Sequence, residues 1–130
     1  HGHVPHEEIS EACRNSDFGI IIRPDRRQSH AGFPTKVAEY MSVGTPVIVN
    51  DTGDLSLYVN DSENGFCLQR NISIEELESV LKSILSMSKE EINQLRLNAR
   101  QVAQKSFDYR RNSKILNRLL ISVVEEYKSR

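Results

Sequence analysis

Apolar residues fall in short unbroken runs in the first part of the chain and at helical spacing in the rest. Phe18-Gly19-Ile20-Ile21-Ile22 is too short for a helix and rich in β-branched side chains. It predicts a strand buried on both faces, as in a parallel sheet. Pro46-Val47-Ile48-Val49 predicts a second such strand and Phe66-Cys67-Leu68 a third, shorter one. Between the runs the period changes. Pro5 at the front, Glu7 and Glu8 in the first turn and the stripe Ile9, Ala12, Cys13 predict a helix over about 5–15. Residues 23–32 are polar and charged and predict a loop. Pro34 in front and Gly44 behind bracket a helix over about 34–43. Asp51-Thr52-Gly53-Asp54 is a turn leading to a short helical piece near 54–60, and Asn64-Gly65 is another turn.

Further along, Ser73 with Glu76 and Ser88 with Glu91 have capping-box spacing. Ile74, Leu77, Val80, Leu81, Ile84 and Leu85 follow the first at helical spacing, and Ile92, Leu95, Ala99, Val102 and Ala103 follow the second. A last helix over about 107–128 carries Ile115, Leu116, Leu119, Leu120, Val123, Val124 and Tyr127 on one face. These closing helices read as structural cover. Alternating strands and helices imply a parallel sheet with crossover helices. The expected fold is α/β, a Rossmann-like parallel sheet over 1–70, extended by C-terminal helices over 71–130.

Composition narrows the function classes. Lysine and arginine total 17 against 18 aspartates and glutamates, a net charge of −1 in 130 residues. A nucleic-acid binder needs a clear basic excess, so that class is set aside. No apolar run approaches the roughly 20 residues that span a bilayer. Cys13 and Cys67 make no disulfide framework and read as reduced, packed thiols in a cytoplasmic protein. His1, His3 and His6 have metal-ligand identity, but nothing completes a zinc pattern, and no metal is expected. Asn50, Asn60 and Asn71 open glycosylation-type triplets that read as chance matches in turns. Arg23, Arg26 and Arg27 form a small basic loop with Asp25, read as solvated or as flanking a cleft. The abrupt opening at His1-Gly2-His3-Val4 suggests a piece of a longer protein.

In an open α/β sheet, ligands bind outside the carboxyl ends of the strands. The turn after the first strand places Ala31-Gly32-Phe33-Pro34-Thr35-Lys36 there. A helix N-terminus offers unpaired N–H groups and the positive end of a dipole, which suit a phosphate. Gly32 lets a ligand approach the backbone, Thr35 adds a hydroxyl, Lys36 a cation, and Glu39 lies one turn deeper. On the residues alone two readings stand: a phosphate-binding turn, or a proline-started helix with Glu39 merely solvated.

Gly32-Phe33-Pro34-Thr35-Lys36-Val37-Ala38-Glu39-Tyr40-Met41 followed by Gly44-Thr45-Pro46-Val47-Ile48 resembles the donor-site signature of family 4 glycosyltransferases. These are retaining enzymes with the two-domain GT-B fold. The likeness extends to Ser16-Asp17-Phe18-Gly19-Ile20 upstream and Thr52-Gly53-Asp54-Leu55 and Asn64-Gly65 downstream, over about 3–70. It implies that the chain is part of the C-terminal nucleotide-sugar-binding domain. The parent protein would transfer a hexose from a UDP- or GDP-sugar to a saccharide or lipid-linked acceptor. No cofactor is implied. By the same resemblance, Glu39 holds the ribose hydroxyls, and Phe33, Pro34 and Thr35 offer backbone N–H groups to the diphosphate. Lys36 reaches a phosphate, and Gly32 lies beside the sugar.

One departure matters. The signature's first glutamate, which contacts the transferred sugar, falls at Ala31, with His30 as the neighbouring group to stand in for it in part. The acceptor domain and the basic pair that grips the diphosphate would lie upstream. Lys114, Arg118, Lys128 and Arg130 on the last helix suit peripheral contact of the parent with an anionic membrane, but Glu125 and Glu126 among them fit a solvated face better. The alternative function is a non-catalytic nucleotide-binding or regulatory module of the same fold.

Overall fold

The computed structural model describes residues 5–128. Three parallel strands, β1 (Gly19–Ile21), β2 (Val47–Asn50) and β3 (Gly65–Leu68), form one sheet in the order β1-β2-β3. Gly19 aligns with Val47, and Val47 with Gly65, so the carboxyl ends of all three strands meet at one edge. Helix α1 (His6–Arg14) precedes β1, and α2 (Arg27–Ala31) and α3 (Thr35–Ser42) connect it to β2. A single 3-10 turn (Leu55–Leu57) lies between β2 and β3, and α4 (Ile74–Leu85), α5 (Lys89–Ser106) and α6 (Tyr109–Lys128) close the chain.

The period of two along β2 divides the core. Val47 and Val49 pack with Val37 and Met41 of α3, Leu55 and Val59, and Ala99 and Ala103 of α5. The two alanines keep the α5 surface low where it meets α3. Ile48 points the other way and joins Phe66 and Leu68, covered by Leu77, Val80 and Ile84 of α4 and by Phe18. All four β2 residues are buried, as a central parallel strand requires.

β1 departs from the expectation of burial on both faces: Ile20 is 55% exposed. It pairs with Ile48, but α4 lies over β3 and β2 and does not extend across to β1. The expected loop over 23–32 is also corrected, since it contains α2. Five residues are too few to show helical periodicity.

α3 begins at Thr35, with Pro34 in extended conformation as its N-cap. Gly44 ends the segment at φ +79°, where any other residue would be strained. Both serine caps form: Ser73 accepts from Glu76 N–H and Ser88 from Glu91 N–H, with Glu91 answering to complete its box. Those backbone and Ser88 bonds hold the Glu91 carboxyl below its ordinary value.

The closing helices do not all cover the core. α4 packs on one face of the sheet, and α5 packs against α3 on the other. α6 is exposed along its described length, including Ile115, Leu116, Leu119, Leu120, Val123 and Val124. The faces of β2 are already covered by α3 and α5 on one side and α4 on the other, and the cover expected of α6 is not seen. Among the described residues no helix is long and apolar enough to cross a membrane.

Candidate functional site

The site is built at the carboxyl edge of the sheet, and its base is a buried asparagine. Asn50, the last residue of β2, is 1% exposed. Its Oδ1 accepts from the Arg23 N–H at 2.9 Å, and its Nδ2 donates to the Arg23 carbonyl at 2.8 Å and the Arg70 carbonyl at 2.9 Å. The side-chain amide thus pairs with the backbone beyond the end of β1 as another strand would. It binds the chain leaving β1 to the chain leaving β3. Buried in this way, Asn50 is closed to glycosylation in the folded protein.

Held by Asn50, Arg23 directs its guanidinium toward the turn before α3. Nη1 donates to the Gly32 carbonyl at 2.7 Å and Nη2 to the Gln28 carbonyl at 3.3 Å. Gly32 is extended, and a Cβ added there would meet nothing within 4 Å, so the space beside it is open. Pro34 follows with no side chain capping α3. Val37 N–H is satisfied by the Pro34 carbonyl at 2.9 Å. Among the described residues no acceptor serves the N–H groups of Phe33, Thr35 or Lys36.

Lys36 and Glu39 face each other one turn apart, with Nζ 2.6 Å from Oε2. Glu39 is half-buried and Lys36 exposed; the hydrogen bond that Lys36 donates to Glu39 is the main cause that raises the Lys36 ammonium above its ordinary value. Glu39 also lines an open groove of about 540 Å³ with Ala38, Ser42, Arg100 and Phe107.

The Phe33 ring, still partly exposed, joins an aromatic cluster. It meets Tyr58 edge-on at 5.4 Å and Phe107 at 5.2 Å, and those two rings lie 5.1 Å apart. The contact ties the turn to the 3-10 segment and to the end of α5.

Both His30 nitrogens are occupied. Nδ1 accepts from the Gly53 N–H at 3.2 Å, so the proton of the neutral ring sits on Nε2, which is 2.5 Å from Asp25 Oδ1. Gly53, at φ +66°, lies against the Ser29 and His30 carbonyls. His30 is a strut between α2 and the glycine turn, and Ala31 beside it is exposed. The structure therefore brings Gly32 through Lys36 and Glu39 to one place, with His30 engaged at its margin.

Sequence reasoning missed Asn50 as part of this edge, and read Arg23 only as a member of a basic loop, solvated or flanking a cleft. The one signal was a polar residue closing an otherwise apolar run, Val47-Ile48-Val49-Asn50. His1 and His3 lie outside the described residues; among those described, no group of three or more His, Cys, Asp or Glu is placed to hold a metal.

Both cysteines are free, Cys13 buried and Cys67 partly so. Burial first, then the Asp51 and Asp61 carboxylates, push the Cys67 thiol up to about 11. A raised folded value means that the neutral thiol is favoured; the stability this contributes is present below the ordinary thiol range and is lost as pH rises through about 11. We expect Cys67 of the native full-length protein to stay unmodified by iodoacetamide at pH 8, as read by peptide mapping, and to react once the protein is denatured. Rapid native modification would contradict this.

Known proteins share the fold that carries this edge. The family described as "Glycosyl transferases group 1" matches residues 1–102. No curated protein matches the chain. Sucrose-phosphate synthase from Thermosynechococcus elongatus superposes at a TM-score of 0.78 with 20% identity, over 97% of this chain and 30% of that one. HepE of Anabaena in complex with UDP-glucose superposes at 0.70 with 20% identity, over 86% of this chain and 29% of that one. The same protein with UDP and glucose gives 0.71. The chain spans less than a third of the length of these structures, and at this identity the likeness shows a shared fold. With the family match covering residues 1–102 of 130, the chain belongs to the group 1 glycosyl transferases.

Proposed function

We propose that this chain is the nucleotide-binding half of the C-terminal donor domain in a family 4, GT-B enzyme that transfers a hexose with retention. The observation that carries the reading is the uncapped N-terminus of α3 at the carboxyl edge of the parallel sheet. Lys36 and Glu39 lie on its first turns. α4 and α5, later in the chain, are capped by a serine, whereas α1, α2 and α3 have no side-chain cap.

The chemistry follows from those groups. The N–H groups of Phe33, Thr35 and Lys36 and the positive end of the α3 dipole receive the diphosphate. Glu39 accepts hydrogen bonds from the ribose hydroxyls. In the free protein Lys36 directs its charge to Glu39; with donor bound, its flexible stem lets it turn to a phosphate while Glu39 turns to the ribose. As the sugar–phosphate bond breaks, negative charge builds on the departing diphosphate, and fixed donors already aimed at it stabilise that charge without reorganising. Gly32 and Ala31 border the sugar, with His30 behind them. The donor is a UDP- or GDP-sugar, used without a cofactor or metal. The HepE structures with UDP-glucose and UDP make UDP the first nucleotide to try. The acceptor, a saccharide or lipid-linked saccharide of polysaccharide synthesis, would bind through the N-terminal domain, on the cytoplasmic side of a membrane.

A second reading, a non-catalytic nucleotide-binding module, is favoured by one observation. Ala31 offers no sugar-side carboxylate, and both His30 nitrogens are already engaged. Incubating the full-length protein with labelled UDP- and GDP-hexoses separates the two. Release of nucleoside diphosphate with transfer or hydrolysis is expected of the enzyme. Binding without turnover supports the module, and neither binding nor turnover sinks both.

A further inference from the structure

We infer that Arg23 is a positioning residue for the donor diphosphate: its guanidinium, carried on a backbone that Asn50 anchors, fixes the orientation of the Gly32–Phe33 peptide so that the Phe33 N–H faces the phosphates. The inference rests on the donor-site reading above and extends it to a residue outside the signature.

The geometry is direct. In a trans peptide the carbonyl and the N–H point in opposite directions. Arg23 Nη1 holds the Gly32 carbonyl at 2.7 Å, which turns the N–H of Phe33 to the side away from Arg23. No acceptor among the described residues takes that proton, and a Cβ built on the neighbouring Gly32 would meet nothing within 4 Å. The second fork, Nη2 to the Gln28 carbonyl at 3.3 Å, fastens the last turn of α2 to the same guanidinium. Asn50 fixes where the side chain starts by bonding the Arg23 N–H and carbonyl, and the two carbonyls of Gly32 and Gln28 hold its guanidinium end. A peptide plane free to rotate would lose its donor in some conformers and would have to be ordered when the ligand arrives. Arg23 removes that cost in advance. A lysine keeps the charge but has no rigid fork to span two carbonyls.

The test compares Arg23→Gln and Arg23→Lys with wild type in the full-length protein, titrating UDP and GDP, and uridine and guanosine as the matching nucleosides. A positioning role for the phosphates predicts a selective loss. Affinity for the diphosphate should fall roughly tenfold in Arg23→Gln, while affinity for the nucleoside stays within about twofold, and Arg23→Lys should recover part of the loss. Variants that bind both ligands as wild type does overturn this role and leave the donor site standing. Equal loss of nucleoside and diphosphate in both variants also overturns it, since the bond would then serve only the architecture. Wild-type protein that binds neither UDP nor GDP overturns the donor-site reading and this role with it.

Discussion

Glu39→Ala in the full-length protein is expected to weaken binding of the donor nucleoside diphosphate by about 2–4 kcal/mol, roughly 30- to 900-fold. A carboxylate that accepts from both ribose hydroxyls makes two charge-assisted hydrogen bonds, each about twice as strong as a neutral one. The loss is partly offset. Glu39 holds Lys36 in the free protein, so its removal releases the ammonium for the diphosphate. That offset is small, because the lysine is exposed and its pair with Glu39 is screened by solvent. The ribose bonds therefore dominate. In steady-state kinetics KM for the donor should rise with little change in kcat, the mark of binding lost equally from ground and transition states. Glu39→Gln, which keeps an acceptor but no charge, should fall between. Unchanged nucleotide affinity in Glu39→Ala would remove Glu39 from the site.

The second large effect is on stability. Asn50→Ala should cost on the order of 2–4 kcal/mol, because one truncation leaves an N–H and two carbonyls without their partner at the sheet edge. For a domain of this size that lowers the melting temperature by roughly 10 °C. Asn50→Asp retains the acceptor for Arg23 N–H but sets a carboxylate against two carbonyls. It should be no better than alanine. A calorimetric shift below about 2 °C for Asn50→Ala would show that water replaces the amide at little cost. Since Asn50 also anchors Arg23, its loss should loosen the donor turn as well.

What the residues foretold depended on how local the cause was. The Val47-Ile48-Val49 strand, the Ser88–Glu91 box and the turn at Gly44 follow from groups a few positions apart, and each formed. α2 was invisible because its support is distant: Arg23 holds its last turn, and Asn50, 27 positions away from Arg23, holds Arg23. The exposed face of β1 could not be read from Ile20 and Ile22, since which helix covers a strand is settled by packing alone. α6 shows the same limit from the other side. Its apolar stripe predicted the helix, but no short-range pattern says what, if anything, that stripe rests on.

The site was legible as a cluster of residue types and much less as geometry. Gly32 through Lys36 and Glu39 lie together where the strand–turn–helix pattern places them. Sequence reading could not see that the Phe33 ring is committed to Tyr58 and Phe107, because those partners lie well beyond the turn. Nor could it see that His30 joins Gly53 to Asp25, since that bond crosses 23 positions. The neighbour proposed to stand in for a sugar-side glutamate is thus occupied with holding two loops together.

The most direct measurement is a crystal structure of the full-length protein with UDP or GDP bound. The account predicts phosphate oxygens within hydrogen-bonding distance, about 2.7–3.2 Å, of the backbone N–H groups of Phe33, Thr35 or Lys36, with the ribose hydroxyls on Glu39. A nucleotide bound elsewhere in the protein, with the N-terminus of α3 facing only solvent, would contradict it.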